Sequence, residues 1–213
     1  LMHLLENIHI GSDHNHVDCR FPVQYVIRPQ SKRFPDYRGY SGRVEGGVFK
    51  TGDNITVLPS GFKTKIKSID TFEGSIDEAY SPMSVCMTLE DNLDISRGDM
   101  LVRENNQPNI SKEIDIMICW MNEKKLISKG KYSIRHTTQT ARCIINEVKY
   151  KIDINSLHRN EDDKEIGLND IARILIKTTS PLFFDNYRRN RNTGSIILVD
   201  EATNETVAAG MII

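Results

Sequence analysis

Residues 37–61, YRGYSGRVEGGVFKTGDNITVLPSG, constrain the fold more than any other stretch of the chain. Val44, Val48 and Phe49 lead into Thr51, Gly52 and Asp53. Ile55 and Val57 then alternate with Thr56 and Leu58. A period of two is the pattern of a strand with one buried face. Gly39, Gly42, Gly46, Gly47, Gly52 and Gly61 punctuate the stretch, and Pro59-Ser60-Gly61 ends its second strand. Glycine supplies the positive φ that tight turns and bulges need. The stretch therefore reads as the central hairpin of a small closed barrel, not as a catalytic loop.

Short strand signals continue along the chain. They fall at 21–27 (FPVQYVI), 64–72 (TKIKSIDTF), 83–89 (MSVCMTL) and 99–103 (DMLVR). The polar run 104–109, ENNQPN, reads as a linker. A second series follows at 113–121, 131–136, 140–152, 170–178, 195–199 and 206–213. Residues 153–167, DINSLHRNEDDKEIG, are polar enough for a long exposed loop or a short helical turn. Many short strands with turn signals and almost no helix predict an all-β chain of two consecutive antiparallel barrels, 19–104 and 109–213. Residues 1–18 stand apart. Leu1, Leu4, Leu5 and Ile8 have helical spacing, and 11–18 (GSDHNHVD) form a polar connector. They read as the end of a helix and the linker from a preceding domain.

Composition narrows the function classes. The formal net charge is -1, whereas a nucleic-acid-binding domain is usually strongly basic. No apolar run reaches the length of a membrane span, and LMHLLENIHI lacks the basic and small-residue features of a signal peptide. Cys19, Cys86, Cys119 and Cys143 fit neither a zinc nor a disulfide framework. Cys86, Cys119 and Cys143 lie in apolar runs and are expected to be reduced core residues of a cytoplasmic protein.

Enzyme signals fail on inspection. Gly47-Val-Phe-Lys-Thr-Gly52 supplies the G-x-x-x-x-G half of a phosphate-binding loop, but Asp53 stands where the motif requires lysine. A carboxylate there repels phosphate, and a strand follows where a helix N-terminus is needed. Asp36-Tyr-Arg-Gly39 matches D-x-x-G, but no N-K-x-D follows. His14, His16 and Asp18 would share one face of an extended segment, yet no second ligand cluster completes a metal site. His136 ends a strand without a placeable nucleophile or orienting group, and Trp120 reads as core. No catalytic, cofactor or metal residue is assigned. Arg188, Arg189 and Arg191 in DNYRRNRNTG form a basic patch, and Arg28, Lys32, Arg33 and Arg38 lie in the 28–38 loop. Both can meet phosphate or an acidic partner surface.

Four stretches together resemble one family. RFPVQYVIRP (20–29), DYRGYSGRVEGGVFKTGDNITVLPSG (36–61), LEDNLDISRGDMLV (89–102) and FFDNYRRNRNTGSIILVDEATNETVAAGMI (183–212) are similar to the large, GTPase subunit of bacterial sulfate adenylyltransferase. That subunit is a relative of translation elongation factors. The resemblance implies the second and third domains of that architecture, both barrels, with LLENIHI leaving a missing GTPase domain. It implies GTP and magnesium in that domain and no cofactor in this chain. It implies a small catalytic subunit as partner, which makes adenosine 5′-phosphosulfate and pyrophosphate from ATP and sulfate. The chain itself would have no activity. It would transmit the nucleotide state, with Arg28, Arg33, Arg38, Arg188, Arg189 and Arg191 as expected partner contacts. Barrels on a short linker with modest polar faces would move as blocks. Two alternatives compete. One is an elongation-factor-like module that binds RNA, which needs a basic surface. The other is a free-standing enzyme on a barrel scaffold, which needs a clustered acid, base or nucleophile.

Overall fold

A computed structural model describes residues 2–8, 14–29, 36–127 and 129–213. One short helix, α1 (Met2–Asn7), precedes the strands. The first group of strands is β1 (Arg20–Ile27), β2 (Gly39–Arg43), β3 (Val48–Lys50), β4 (Asn54–Leu58), β5 (Lys63–Thr71), β6 (Gly74–Ile76), β7 (Glu78–Tyr80), β8 (Ser84–Leu89) and β9 (Met100–Arg103). They hydrogen-bond in the order β4-β9-β1-β2-β8-β5-β6, and β4 also pairs β5, which closes the sheet on itself. The second group is β10 (Asn109–Trp120), β11 (Lys131–His136), β12 (Gln139–Ile152), β13 (Arg159–Asn160), β14 (Ile171–Phe184), β15 (Ser195–Asp200) and β16 (Thr206–Ile212). Their order is β11-β15-β16-β10-β14-β12-β13, and β11 pairs β12 to close a second barrel. Closure leaves no long exposed strand edge. The all-β expectation of two antiparallel barrels holds.

Alternation explains both cores. Ile116, Ile118 and Trp120 point inward from β10 and meet Ile134, Ile145, Ile174, Ile176 and Leu198. The Trp120 ring stands edge-on to Tyr132 at 5.8 Å, and its Nε1–H donates to the Lys124 carbonyl at 2.8 Å. In the first barrel Phe21, Tyr40, Phe49, Ile55, Ile66 and Met87 fill the interior. β12 and β14 are long and must curl around the second barrel. Their pairing shifts register at Ile145/Glu147 and Val148/Tyr150, and such bulges add twist.

The opening stretch is not a hairpin. β3 pairs β7, while β4 pairs β5 and β9. Gly47 permits the divergence. It holds φ 73°, and a side-chain Cβ there would lie 2.6 Å from the Cys19 Cα. Only glycine fits so close a backbone approach at positive φ. The cysteine expectation is corrected too. Cys143 and Cys19 are buried, but Cys86 is half-buried and Cys119 exposed. Cys119 lies between the inward residues Ile118 and Trp120, so the period of two turns it outward. Residues 153–167 form a turn-rich loop without helix. Asp153 Oδ1 accepts from the backbone N–H groups of Asn155 and Ser156, and Arg159–Asn160 pairs with the end of β12.

Candidate functional site at the seam between the barrels

A third apolar cluster joins the barrels. Leu58, Met100 and Val102 of the first barrel pack with Phe183 of the second. Beside it lies a polar network built from both halves. Arg20, at the start of β1, is 1% exposed, and Asp185, just past β14, is 3% exposed. The Arg20 Nε–H donates to Asp185 Oδ2 at 2.8 Å and its Nη2–H to Oδ1 at 2.9 Å. The guanidinium fork matches a carboxylate at both points. Nη1 donates to the carbonyls of Cys19 and Asn106 and to the Asn106 side-chain oxygen, at 2.9, 2.6 and 2.9 Å. The Thr193 hydroxyl donates to Asp185 Oδ2 at 2.7 Å.

Asp18 is a second buried carboxylate. Arg189 donates to both its oxygens, from Nη2 at 2.6 Å and from Nε at 2.5 Å. Asn106 Nδ2 and Asn15 Nδ2 donate to it at 2.8 and 2.7 Å. Burial opposes its charge, but the hydrogen bonds from Arg189, Asn106 and Asn15 outweigh burial and hold the carboxyl well below the usual range. Asn190 Nδ2 reaches the Glu45 carbonyl at 3.0 Å. A Cβ on Gly46 would meet the Asp18 carbonyl oxygen at 2.5 Å and Asn190 Nδ2 at 2.9 Å, so the seam closes against bare backbone there. His136 completes the layer. It is 1% exposed, and its Nε2–H donates to the Thr193 carbonyl at 2.8 Å, which leaves Nδ1 without a partner among the described residues. Burial pushes its pKa down, against the Thr193 hydrogen bond and the nearby Asp185 charge.

The structure thus places the predicted residues unequally. Arg189, expected to face a partner, is tied to Asp18, and the connector 11–18 ends in a buried charge, not in solvent. Arg188 and Arg191 are exposed. Arg28 is exposed and lies 3.8 Å from Asp94, while Arg38 donates to the Leu93 carbonyl, shared with the Tyr40 hydroxyl. Arg33 lies outside the described residues. Asn106, read as linker, is a hub of the seam. Sequence alone assigns Arg20 and Asp185 no role; the signal it offers is an arginine opening one apolar strand and an aspartate closing another. The seam joins the barrels through this polar network and the apolar cluster of Leu58, Met100, Val102 and Phe183.

Nothing at Gly47–Gly52 suits a nucleotide phosphate. Asp53 Oδ2 accepts from Arg103 at 2.8 Å and from the Lys50 N–H at 3.0 Å, and β4 follows directly. His14 and His16 are exposed while Asp18 turns into the seam, so the three do not converge. Among the described residues no group of three or more His, Cys, Asp or Glu is placed to hold a metal ion. No helix there is long and apolar enough to cross a membrane.

Known proteins give the arrangement a context. The family described as GTP-eEF1A C-terminal domain-like matches residues 113–213. A "Bifunctional enzyme CysN/CysC" of Mycobacterium tuberculosis is 46% identical over 214 residues, covering 100% of this chain and 35% of that protein. A "Sulfate adenylyltransferase subunit 1" of Bacteroides fragilis is 44% identical over 213 residues, covering 100% of this chain and 44% of that protein. The chain therefore spans less than half the length of these relatives. Among solved structures, sup35 complexed with GMPPNP superposes with a TM-score of 0.81 at 14% identity, over 100% of this chain and 51% of that one. Translation elongation factor SelB from Methanococcus maripaludis gives 0.72 at 18% identity, over 99% and 45%. At those identities the likeness is one of fold.

Proposed function

We propose a function from one premise: the chain is homologous, over its full length, to a portion of sulfate adenylyltransferase subunit 1 and of CysN/CysC bifunctional enzymes. It is the non-catalytic, two-barrel portion of a GTPase subunit of sulfate adenylyltransferase, acting in the cytoplasm. Residues 1–18 lead in from the GTPase domain, 19–104 are the first barrel and 109–213 the second. The GTPase domain holds GTP and magnesium. A small partner subunit makes adenosine 5′-phosphosulfate and pyrophosphate from ATP and sulfate, and GTP hydrolysis drives that unfavourable reaction.

The observation that carries the reading is whole-chain identity in the mid-forties per cent, joined to the buried Arg20–Asp185 pair. With that pair in place the barrels are one lever. A rotation imposed near the N-terminal connector reaches the second barrel as rigid-body motion. The connector is itself held to the second barrel through Asp18 and Arg189. Partner contacts fall to Arg28, Arg33 and Arg38 on one loop and to Arg188, Arg189 and Arg191 on the other, with Arg189 shared between partner and seam. The alternative of an RNA-binding module predicts salt-sensitive capture of transfer RNA. The near-zero net charge speaks against it.

The test is reconstitution. The isolated chain is expected to hydrolyse no GTP and to compete with the full-length subunit for the small subunit. GTP turnover by the chain alone, or no competition at any concentration, contradicts the proposal.

A further inference from the structure

Two arginine–carboxylate pairs meet at the seam, and they differ in how firmly they close. In Arg20–Asp185 the side chains are 1% and 4% exposed, so parting them strands two charges away from water. In Arg189–Asp18 the carboxylate is 2% exposed but the guanidinium is 61% exposed. An arginine that already reaches solvent loses little on release. Asp18 keeps a donor in either case, because Asn15 Nδ2, on the same turn, donates to it at 2.7 Å. The connector pair is therefore the one that can open while the barrels stay joined.

Each side of that pair holds its own shape. Asn15 Oδ1 accepts from the N–H groups of Val17 and Asp18, each at 2.9 Å, so 15–18 is a self-bonded turn. It is seated on its surroundings by the Asn15 Nδ2 bond to the Arg189 carbonyl at 3.1 Å, by the Gly47 N–H bond to the Asn15 carbonyl at 2.7 Å, and by the Asn106 bond to Asp18. In the arginine loop Asn190 Oδ1 accepts from the N–H groups of Asn192 and Thr193 at 3.0 and 3.2 Å, and Asn186 Oδ1 from that of Arg188 at 2.9 Å. Arg188 is exposed beside Arg189. One guanidinium fork cannot take two carboxylates at once. We propose that Arg189 is an exchange switch: while the 15–18 turn is seated it holds Asp18, and when the connector is drawn off it passes to a carboxylate of the small partner subunit, beside Arg188. The proposal rests on the functional reading above, in which the connector leads in from the GTPase domain. Connector position then sets whether Arg189 is available to the partner.

The test uses the full chain. Asp18→Asn removes the charge that holds Arg189 and keeps the size of the side chain. It is expected to tighten binding of the small subunit about fivefold, measured by titration calorimetry. It should also speed phenylglyoxal modification of Arg189, followed by mass spectrometry, with the rate at Arg188 unchanged. Asn15→Ala removes the bond to the Arg189 carbonyl and leaves Asp18 charged, so it should move both readouts the same way by less. It carries the test if Asp18→Asn loses the circular dichroism of the parent. In an Arg189→Gln background Asp18→Asn should no longer change the affinity. Unchanged or weaker binding in Asp18→Asn, or the same gain in the Arg189→Gln background, overturns the exchange and leaves the functional reading in place. No binding of the small subunit by the parent or by any variant overturns the functional reading, and the exchange with it.

Discussion

Arg20 and Asp185 meet at two points, at 2.8 and 2.9 Å, across the seam and 165 positions apart in sequence. Both are nearly inaccessible to water, so neither can lose the other without leaving a buried charge. Asp185→Asn is expected to destabilise the chain by about 3–5 kcal/mol, measured by urea unfolding. The double change Arg20→Met with Asp185→Leu should cost clearly less than the single one, because it removes both charges. A double variant as unstable as Asp185→Asn would mean that the pair's other hydrogen bonds, not its charge balance, hold the seam.

Asp18 gives the seam an acid limit. Its folded-state pKa is depressed, so its contribution is fully present above the unfolded carboxylate value, about 3.9, and fades as pH falls through that value towards the lower folded one. Stability should therefore drop more steeply below about pH 4 in the parent than in Asp18→Asn. Parallel acid limbs for the two proteins would refute this.

His136 acts at milder pH. Burial lowers its folded-state pKa, so the unfolded chain takes up a proton more readily than the folded one. Stability should fall as pH drops below about 6.5, and His136→Gln should flatten that slope. An unchanged slope between pH 5 and 7 in the variant would exclude His136 as its source.

The two exposed-loop arginines can be separated by what each change moves. Arg189→Glu sets two carboxylates together at the seam and should lower stability. Arg188 is exposed, and Arg188→Glu should alter stability by no more than about 0.5 kcal/mol while weakening small-subunit binding by titration calorimetry. Unchanged binding in Arg188→Glu would remove that residue from the contact surface.

Much of the fold was legible because it is local. Alternation along FPVQYVI, KYSIRH and SIILV predicts strands that the structure contains, as β1, β11 and β15. The pairing of β3 with β7 was not legible. β7 is three residues long, and its partner is chosen by barrel closure, not by neighbouring turns. Cys119 reads as core because an apolar run looks the same from either face until register fixes which residues point inward. The seam escaped for a related reason. Asp18, Arg20, Asn106, Asp185 and Arg189 come from three distant stretches, and each looks like a surface residue in its own sequence context. Only the docking of one barrel on the other buries Asp18, Arg20 and Asp185 together, with Asn106 half-buried and Arg189 still largely exposed beside them. The arginine loop is legible in the sequence, but the bond that its Arg189 makes to buried Asp18, from a side chain that stays 61% exposed, is not.

If the seam makes the two barrels one body, they unfold together. Trp120 is the chain's only tryptophan and reports on the second barrel, while amide exchange in β4 and β9 reports on the first. Both followed through a single urea titration should give one shared midpoint, and Asp185→Asn should shift both midpoints downward. A first barrel that opens at its own midpoint, with the Trp120 signal unmoved by Asp185→Asn, would contradict it.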